Sequence, residues 1–170
     1  YSAVFELNEK AEVVNEWFGR TIINSDRRFS YREAQQVIDT DEGDMKEMVL
    51  VLHNLAQHLR KKRFSAGAFD FEKIEVKFDL DENGKPVGIK FRDMGTANQL
   101  IEEFMLLANK RVAEYVGKKL KGKTMVYRVH DKPDPEKISS FVNFIQRFGY
   151  KLVEDDATSL PKAMNKLLNK

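Results

Sequence analysis

Cysteine is absent from this chain of 170 residues, proline occurs only four times and tryptophan once. Without cysteine there is no disulfide framework and no thiolate metal site, and the composition fits a reducing, cytoplasmic compartment. Long hydrophobic runs are lacking too. The longest, such as Met48 to Leu52, fall far short of the roughly 20 residues that cross a bilayer. Tyr1 does not open a secretory signal, and the missing initiator methionine is read as the mark of a fragment. Charge of one sign is scarce: 29 basic residues stand against 27 acidic ones, a formal net charge of +2. A strong polyanion binder carries a larger surplus or a clear basic stripe, so composition neither demands nor excludes nucleic acid. What is present suffices for a core, with 42% hydrophobic and 11% aromatic residues in a length that suits one domain.

The hydrophobic pattern changes period along the chain. Ser2-Ala3-Val4-Phe5-Glu6-Leu7 alternates, and Val13, Val14, Trp17, Thr21, Ile22 and Ile23 continue in β-rich style. Residues 2–24 thus read as two strands around an Asn8-Glu9-Lys10 turn. Ser30-Tyr31-Arg32-Glu33 is a capping box that starts a short helix to about Ile38. Asp44 to Glu47 repeats that signal, and Met45, Met48, Val49, Leu52, Leu55 and Leu59 keep helical spacing to about Arg63. Ile74, Val76, Phe78 and Leu80 then alternate as a half-buried strand. An Asn83-Gly84 turn follows, with Val87, Ile89 and Phe91 on the returning strand. Thr96, with Gln99 three residues on, is expected to cap a long helix ending near Gly117. Met125 to Val129 reads as a strand, Glu136 to Phe148 as a helix, and Ser159 opens a last helix to Lys170. No repeat, low-complexity stretch or flexible linker interrupts what reads as one α+β domain, or part of one.

No constellation assembles a nucleophile or a pair of catalytic carboxylates. Asp39, Asp41, Glu42 and Asp44 lack the ligand spacing of a calcium loop and read as a solvated helix start. His53 and His58 are five residues apart on one helix, poorly aligned for one metal, and His130 stands alone. On a wheel at about 100° per residue, Gln99, Glu103, Lys110, Arg111, Glu114 and Lys118 of the long helix share one broad polar face. Glu102 falls off that face beside Met105, Leu106 and Ala113, with Asn109 two turns along. A carboxylate on an apolar stripe needs partners. It is either a satisfied core polar group or the edge of a cavity where it meets a ligand hydroxyl. Phe64, Phe69 and Phe71 surround the small residues Ser65 to Ala68; rings at this spacing serve a core, or a groove wall on which bases stack.

Several blocks resemble the catalytic domain of the ribonuclease II / ribonuclease R family, with ribonuclease R the nearer branch. These are Arg63-Phe64-x-x-Gly67-Ala68-x-x-Phe71-Glu72, the hairpin with Gly84-Lys85-Pro86, and Ala97-Asn98-x-Leu100-Ile101-Glu102-Glu103-Phe104-Met105-x-x-Ala108-Asn109-x-x-Val112-Ala113. Tyr127-Arg128-Val129-His130-Asp131-x-Pro133 follows them, and Arg20 to Ser25 with Phe29-Ser30-Tyr31 precedes them, in the family's order. The similarity runs over nearly the whole chain. The Ile101 to Asn109 block together with the Tyr127 to Asp131 block is specific; either alone is moderate.

The resemblance implies an α+β fold with mixed or antiparallel sheet and packed helices, the central part of an RNB-type catalytic domain over residues 1–170. It implies a processive, magnesium-dependent 3′-to-5′ exoribonuclease that acts on the 3′ end of single-stranded RNA and releases nucleoside 5′-monophosphates. The family's aspartate-rich metal site is expected upstream of Tyr1, and its arginine near the scissile phosphate and S1 domain downstream of Lys170. This piece is therefore expected to hold no catalytic residue and no metal, to line the RNA channel, and to be inactive by itself. Matched position by position, Tyr31 corresponds to a tyrosine near the terminal nucleotides. Phe71 corresponds to a phenylalanine that stacks on the last base. Glu102 corresponds to a glutamate that contacts ribose hydroxyls, the chemical handle that separates RNA from DNA. The alternatives are an inactive RNA-binding or scaffold module of the same fold, and an α+β domain with an unrelated small-molecule pocket.

Overall fold

Among the described residues, alternation, turn chemistry and capping translate into two antiparallel hairpins and four main helices. The computed structural model describes residues 1–69, 75–92, 95–129, 131, 133–152, 163–165 and 167. Their order is β1 (Ser2–Leu7), β2 (Val13–Gly19), α1 (Tyr31–Thr40), α2 (Lys46–Ser65), β3 (Glu75–Leu80), β4 (Pro86–Arg92), α3 (Thr96–Lys119) and α4 (Pro135–Gln146). The α+β class stands, built as two separate two-stranded sheets, β1-β2 and β3-β4. Two compact units emerge, one of Tyr1–Lys61 with Glu72–Lys123, the other of Lys62–Phe71 with Thr124–Lys170. Among the described residues no helix is long and apolar enough to cross a membrane.

In the first unit, Asn8 closes the β1-β2 turn. Its Oδ1 accepts from the N–H groups of Lys10 and Glu12 at 3.0 and 2.9 Å. The register pairs Ala3 with Phe18 and Phe5 with Glu16, so these residues share one face of the hairpin. That face meets α3: the Phe18 ring lies 4.8 Å from Tyr115, and Glu16 Oε2 accepts from Arg111 Nε at 2.6 Å. Val4 and Trp17, paired on the other face, are exposed. β2 stops at Gly19, short of the expected strand to residue 24. Thr21 to Ile23 run on without a ladder, and Ile22 and Ile23 are exposed, because β-branched residues form a strand only where a neighbour supplies hydrogen bonds.

α1 begins as its capping box dictates and extends two residues past Ile38 to Thr40. Asp41, with φ 55°, ends it in the left-handed region and donates its N–H to Val37 O. The chain then turns back over buried Val37 through Gly43, whose φ of +125° suits only glycine. α2 starts at Lys46, not at a cap by Asp44. Met45 takes φ 49° there, and Asp44 turns its carboxylate to Arg27 Nε at 3.0 Å.

The β3-β4 hairpin forms as expected around its Asn83-Gly84 turn, with Phe78 opposite Ile89 and Val76 opposite Phe91, and Gly84 takes φ +76°. Its apolar side is not half-buried. Val76, Phe78, Leu80, Val87 and Ile89 are all exposed, since alternation selects a face without supplying what covers it. Met125 to Val129 do not form the expected strand. Val126 and Val129 are exposed and no strand among the described residues pairs with them. In the second unit, Asp134 caps α4 by accepting from the Glu136 N–H at 2.9 Å, with Pro135 at the first helical position. Of the expected last helix, residues 163–165 and 167 are helical, and the rest lies outside the described residues. There Asn165 Nδ2 donates to Ala68 O at 2.7 Å.

Candidate nucleic-acid interface

Tyr31 is the first residue of α1 and 43% exposed, held at the end of a tightly organised loop. Ser30 Oγ accepts from the Glu33 N–H at 3.3 Å, while Glu33 Oε2 accepts from the Ser30 N–H at 2.7 Å. Arg27 locks the same loop from behind. Its Nη2 donates to Glu33 Oε1 at 2.9 Å, its Nη1 to Arg28 O at 2.8 Å, and its guanidinium lies 4.6 Å from the Phe29 ring centre. The Ser30 N–H, then the Ser30 hydroxyl and Arg27, lower the Glu33 carboxyl to a pKa of about 2. Glu33 in turn raises the Arg27 pKa, through its hydrogen bond first. Beside this frame opens a pocket of about 630 Å³ lined by Arg28, Phe29, Ser30, Tyr31, Arg32 and Glu33. An aromatic ring flanked by two arginines offers stacking and phosphate attraction together.

Glu102 lies on α3 in the same unit, but the wheel reading of that helix is reversed by the structure. The buried face is Ala97, Leu100 and Glu103, three residues apart, and Glu103 is only 3% exposed. Glu103, expected on the polar solvent face, pairs with Arg60 Nη1 of α2 at 3.7 Å. The apolar Ile101, Met105 and Leu106 are exposed. A wheel gives relative faces only; α1 and α2 decide which face is covered, and Arg60 makes a carboxylate tolerable there. Glu102 is half-buried at the border between this seam and the exposed apolar strip. A carboxylate so placed is reachable from solvent and has an apolar flank, which suits an acceptor for a sugar hydroxyl.

Phe71 and His130 lie outside the described residues. Phe64 is half-buried under the Arg63 guanidinium, 4.9 Å from its ring centre, and Phe69 is exposed. Asp39 in the last turn of α1, and Asp41 and Asp44 between α1 and α2, are engaged: Asp39 with Gln35 at 2.8 Å, Asp41 with Lys46 at 3.2 Å, Asp44 with Arg27 at 3.0 Å. Among the described residues no three His, Asp or Glu gather so as to hold a metal ion. His58 Nδ1 lies 2.8 Å from Asn54 O, and His53 Nδ1 is buried without a hydrogen-bond partner. The sequence did not point to Arg27 or Gln35, whose bonds fall outside any motif, and it marked Arg60 for the basic end of α2 but not for its pairing with Glu103.

The RNB domain model matches residues 1–170. The chain belongs to the RNB domain family. Relatives include DIS3-like exonuclease 2 of Caenorhabditis elegans, 34% identical over 169 residues, which cover 89% of this chain and 20% of that protein. Ribonuclease R of Thermotoga maritima is 36% identical over 157 residues, 88% of this chain and 22% of its own length. The inactive exonuclease DIS3L2 of Arabidopsis thaliana is 31% identical over 183 residues, 98% of this chain and 17% of that protein. This RNB chain thus spans about a fifth of the length of the curated relatives it matches. Its fold is that of Mycoplasma genitalium RNase R, solved with ribose-methylated single-stranded RNA: TM-score 0.85, 22% identity, 98% of this chain and 27% of that one.

Proposed function

We propose that this RNB segment is part of a processive 3′-to-5′ exoribonuclease that degrades single-stranded RNA to nucleoside 5′-monophosphates in the cytoplasm, and that it lines the RNA channel. The observation that carries the reading is the family match along the whole segment, joined to RNB relatives whose names are those of exoribonucleases. Within it, Tyr31 meets the terminal nucleotides, Phe71 stacks on the last base, and Glu102 accepts a hydrogen bond from a ribose hydroxyl. An exposed ring beside Arg28 and Arg32, and a half-buried carboxylate beside an apolar strip, support the two described assignments. The magnesium of the intact enzyme has its carboxylate ligands outside this segment. The contribution of this segment is to bind, orient and discriminate the substrate.

A second reading is an inactive RNA-binding module of the same fold. It is favoured by the inactive relative, which matches 98% of this chain at an identity close to that of the enzymes. The full-length protein decides between them. Incubated with magnesium and 5′-labelled single-stranded RNA, an exoribonuclease produces progressively shorter labelled products and free 5′-monophosphates. RNA that is bound and left intact by purified full-length protein would favour the inactive module.

A further inference from the structure

Gln35 joins the helix that begins with Tyr31 to the helix that carries Glu102. Its Nε2 donates to Asp39 Oδ1 at 2.8 Å and to Thr96 Oγ1 at 3.3 Å, and its Oε1 accepts from the Ala97 N–H at 2.9 Å. The amide can be oriented only one way. A carboxylate accepts and does not donate, so the atom facing Asp39 is the amide nitrogen, which turns the oxygen to Ala97. That N–H belongs to the first turn of α3, where no intrahelical acceptor exists. Ala97 is 2% exposed, so water does not replace the bond, and Gly95 at the N-cap position has no side chain to provide it. The expected cap from Thr96 is not formed, because Thr96 is already inside the helix. Gly95 is itself a condition of the arrangement. A Cβ there would sit 2.7 Å from Gln35 Oε1 and push the amide off Ala97.

We propose that Gln35 is a positioning residue that fixes Glu102 relative to Tyr31, and thereby sets the preference of the full-length enzyme for RNA over DNA. The inference rests on the ribose-contact reading of Glu102. Tyr31 and Gln35 are four residues apart, hence on the same side of α1 one turn from each other. Glu102 lies five residues beyond Ala97 on an unbroken helix, about 7.5 Å along its axis at about 1.5 Å per residue. A helix is stiff over that length, so a displacement of its first turn arrives at Glu102 nearly undiminished. The bond from a ribose hydroxyl weakens steeply with distance and angle, while DNA, which never made it, is unaffected.

The test uses the full-length enzyme and the ratio of kcat/KM for matched single-stranded RNA and DNA oligomers, with hydrogen exchange at the Ala97 amide. Gln35→Ala exposes that amide to exchange and lowers the ratio about threefold to tenfold, the scale of a sub-ångström misplacement. Gln35→Glu sets two carboxylates against each other and lowers it as well. Adding Asp39→Asn to Gln35→Glu restores a matched donor and acceptor with their polarity exchanged, and brings the ratio back. Gln35→Ala combined with Glu102→Ala is no lower than Glu102→Ala alone. A merely structural Gln35 reduces both rates together and leaves the ratio unchanged. That result, a failed rescue by Asp39→Asn, or additive effects of Gln35→Ala and Glu102→Ala would each overturn the inference. If Glu102→Ala lowers the ratio and Gln35→Ala does not, only the positioning role falls. If Glu102→Ala leaves it unchanged, the ribose contact falls, and the inference with it.

Discussion

Glu103 of α3 lies 3.7 Å from Arg60 Nη1 of α2, with its side chain 2% and that of Arg60 18% exposed. Among the described residues it is the buried charged group of this chain. Removing the carboxylate takes a charged partner from Arg60 in a seam where neither side chain is well solvated. Glu103→Ala is therefore expected to destabilise the protein by about 3 kcal/mol in urea unfolding. Replacing both, as Arg60→Met with Glu103→Leu, should recover most of the loss, because two apolar groups need no counter-charge. Equal stability of wild type and Glu103→Ala would contradict the burial.

Glu102→Ala should lower thermal stability little, since the side chain is only half-buried, and should relax RNA preference in the full-length enzyme. A hydrogen bond to a charged acceptor contributes about 1.5–3 kcal/mol, or about tenfold to a hundredfold in the RNA-to-DNA ratio. Lys110→Ala, an exposed position on the same helix, is the control and should leave the ratio alone. Rate measurements on both oligomers decide it.

The capping box makes a pH prediction. The Glu33 carboxyl is lowered from 4.5 to about 2 in the folded chain, so its contribution is fully present above pH 4.5 and is lost as pH falls through that window toward 2. Ser30→Ala removes the hydroxyl that caps α1, at a cost of about 1 kcal/mol near neutral pH. It should also flatten the decline between pH 4.5 and 2, because a main contributor to the Glu33 shift is gone. Circular dichroism melts across that range are the measurement, and parallel pH profiles for the two proteins would count against the assignment.

The 170-residue chain alone should bind single-stranded RNA weakly, with a shallow salt dependence, because a net charge of +2 releases few counterions. Arg60, at the basic end of α2, is already paired with Glu103 and adds little to such a surface. A steep log–log slope in fluorescence anisotropy would reveal a basic track on this segment.

With excess magnesium, the same chain should leave labelled RNA intact, since the acidic residues around Asp39, Asp41 and Asp44 are engaged by Gln35, Lys46 and Arg27. Shortening from the 3′ end that persists through repurification would overturn this.

Signals that act over a few residues were legible in the sequence. Ser30 and Glu33 are three residues apart, and their reciprocal bonds need nothing but the first turn of a helix. Asn83-Gly84 closes β3 on β4 as the expected hairpin because the turn and the two strands are contiguous. The family blocks around Ile101 to Asn109 were legible as well, being linear patterns. Burial was not. A helical wheel separates Glu102 from Glu103 by about 100° but does not say which of the two meets a neighbour. That depended on Arg60, which lies far earlier in the chain, on α2. The cap of α3 likewise comes from Gln35 on α1, so no local rule around Thr96 could supply it. The hairpin face of Phe78 and Ile89 is apolar by sequence yet exposed in the folded chain. Periodicity specifies a surface, and only the elements brought against it by the tertiary fold determine whether water leaves it.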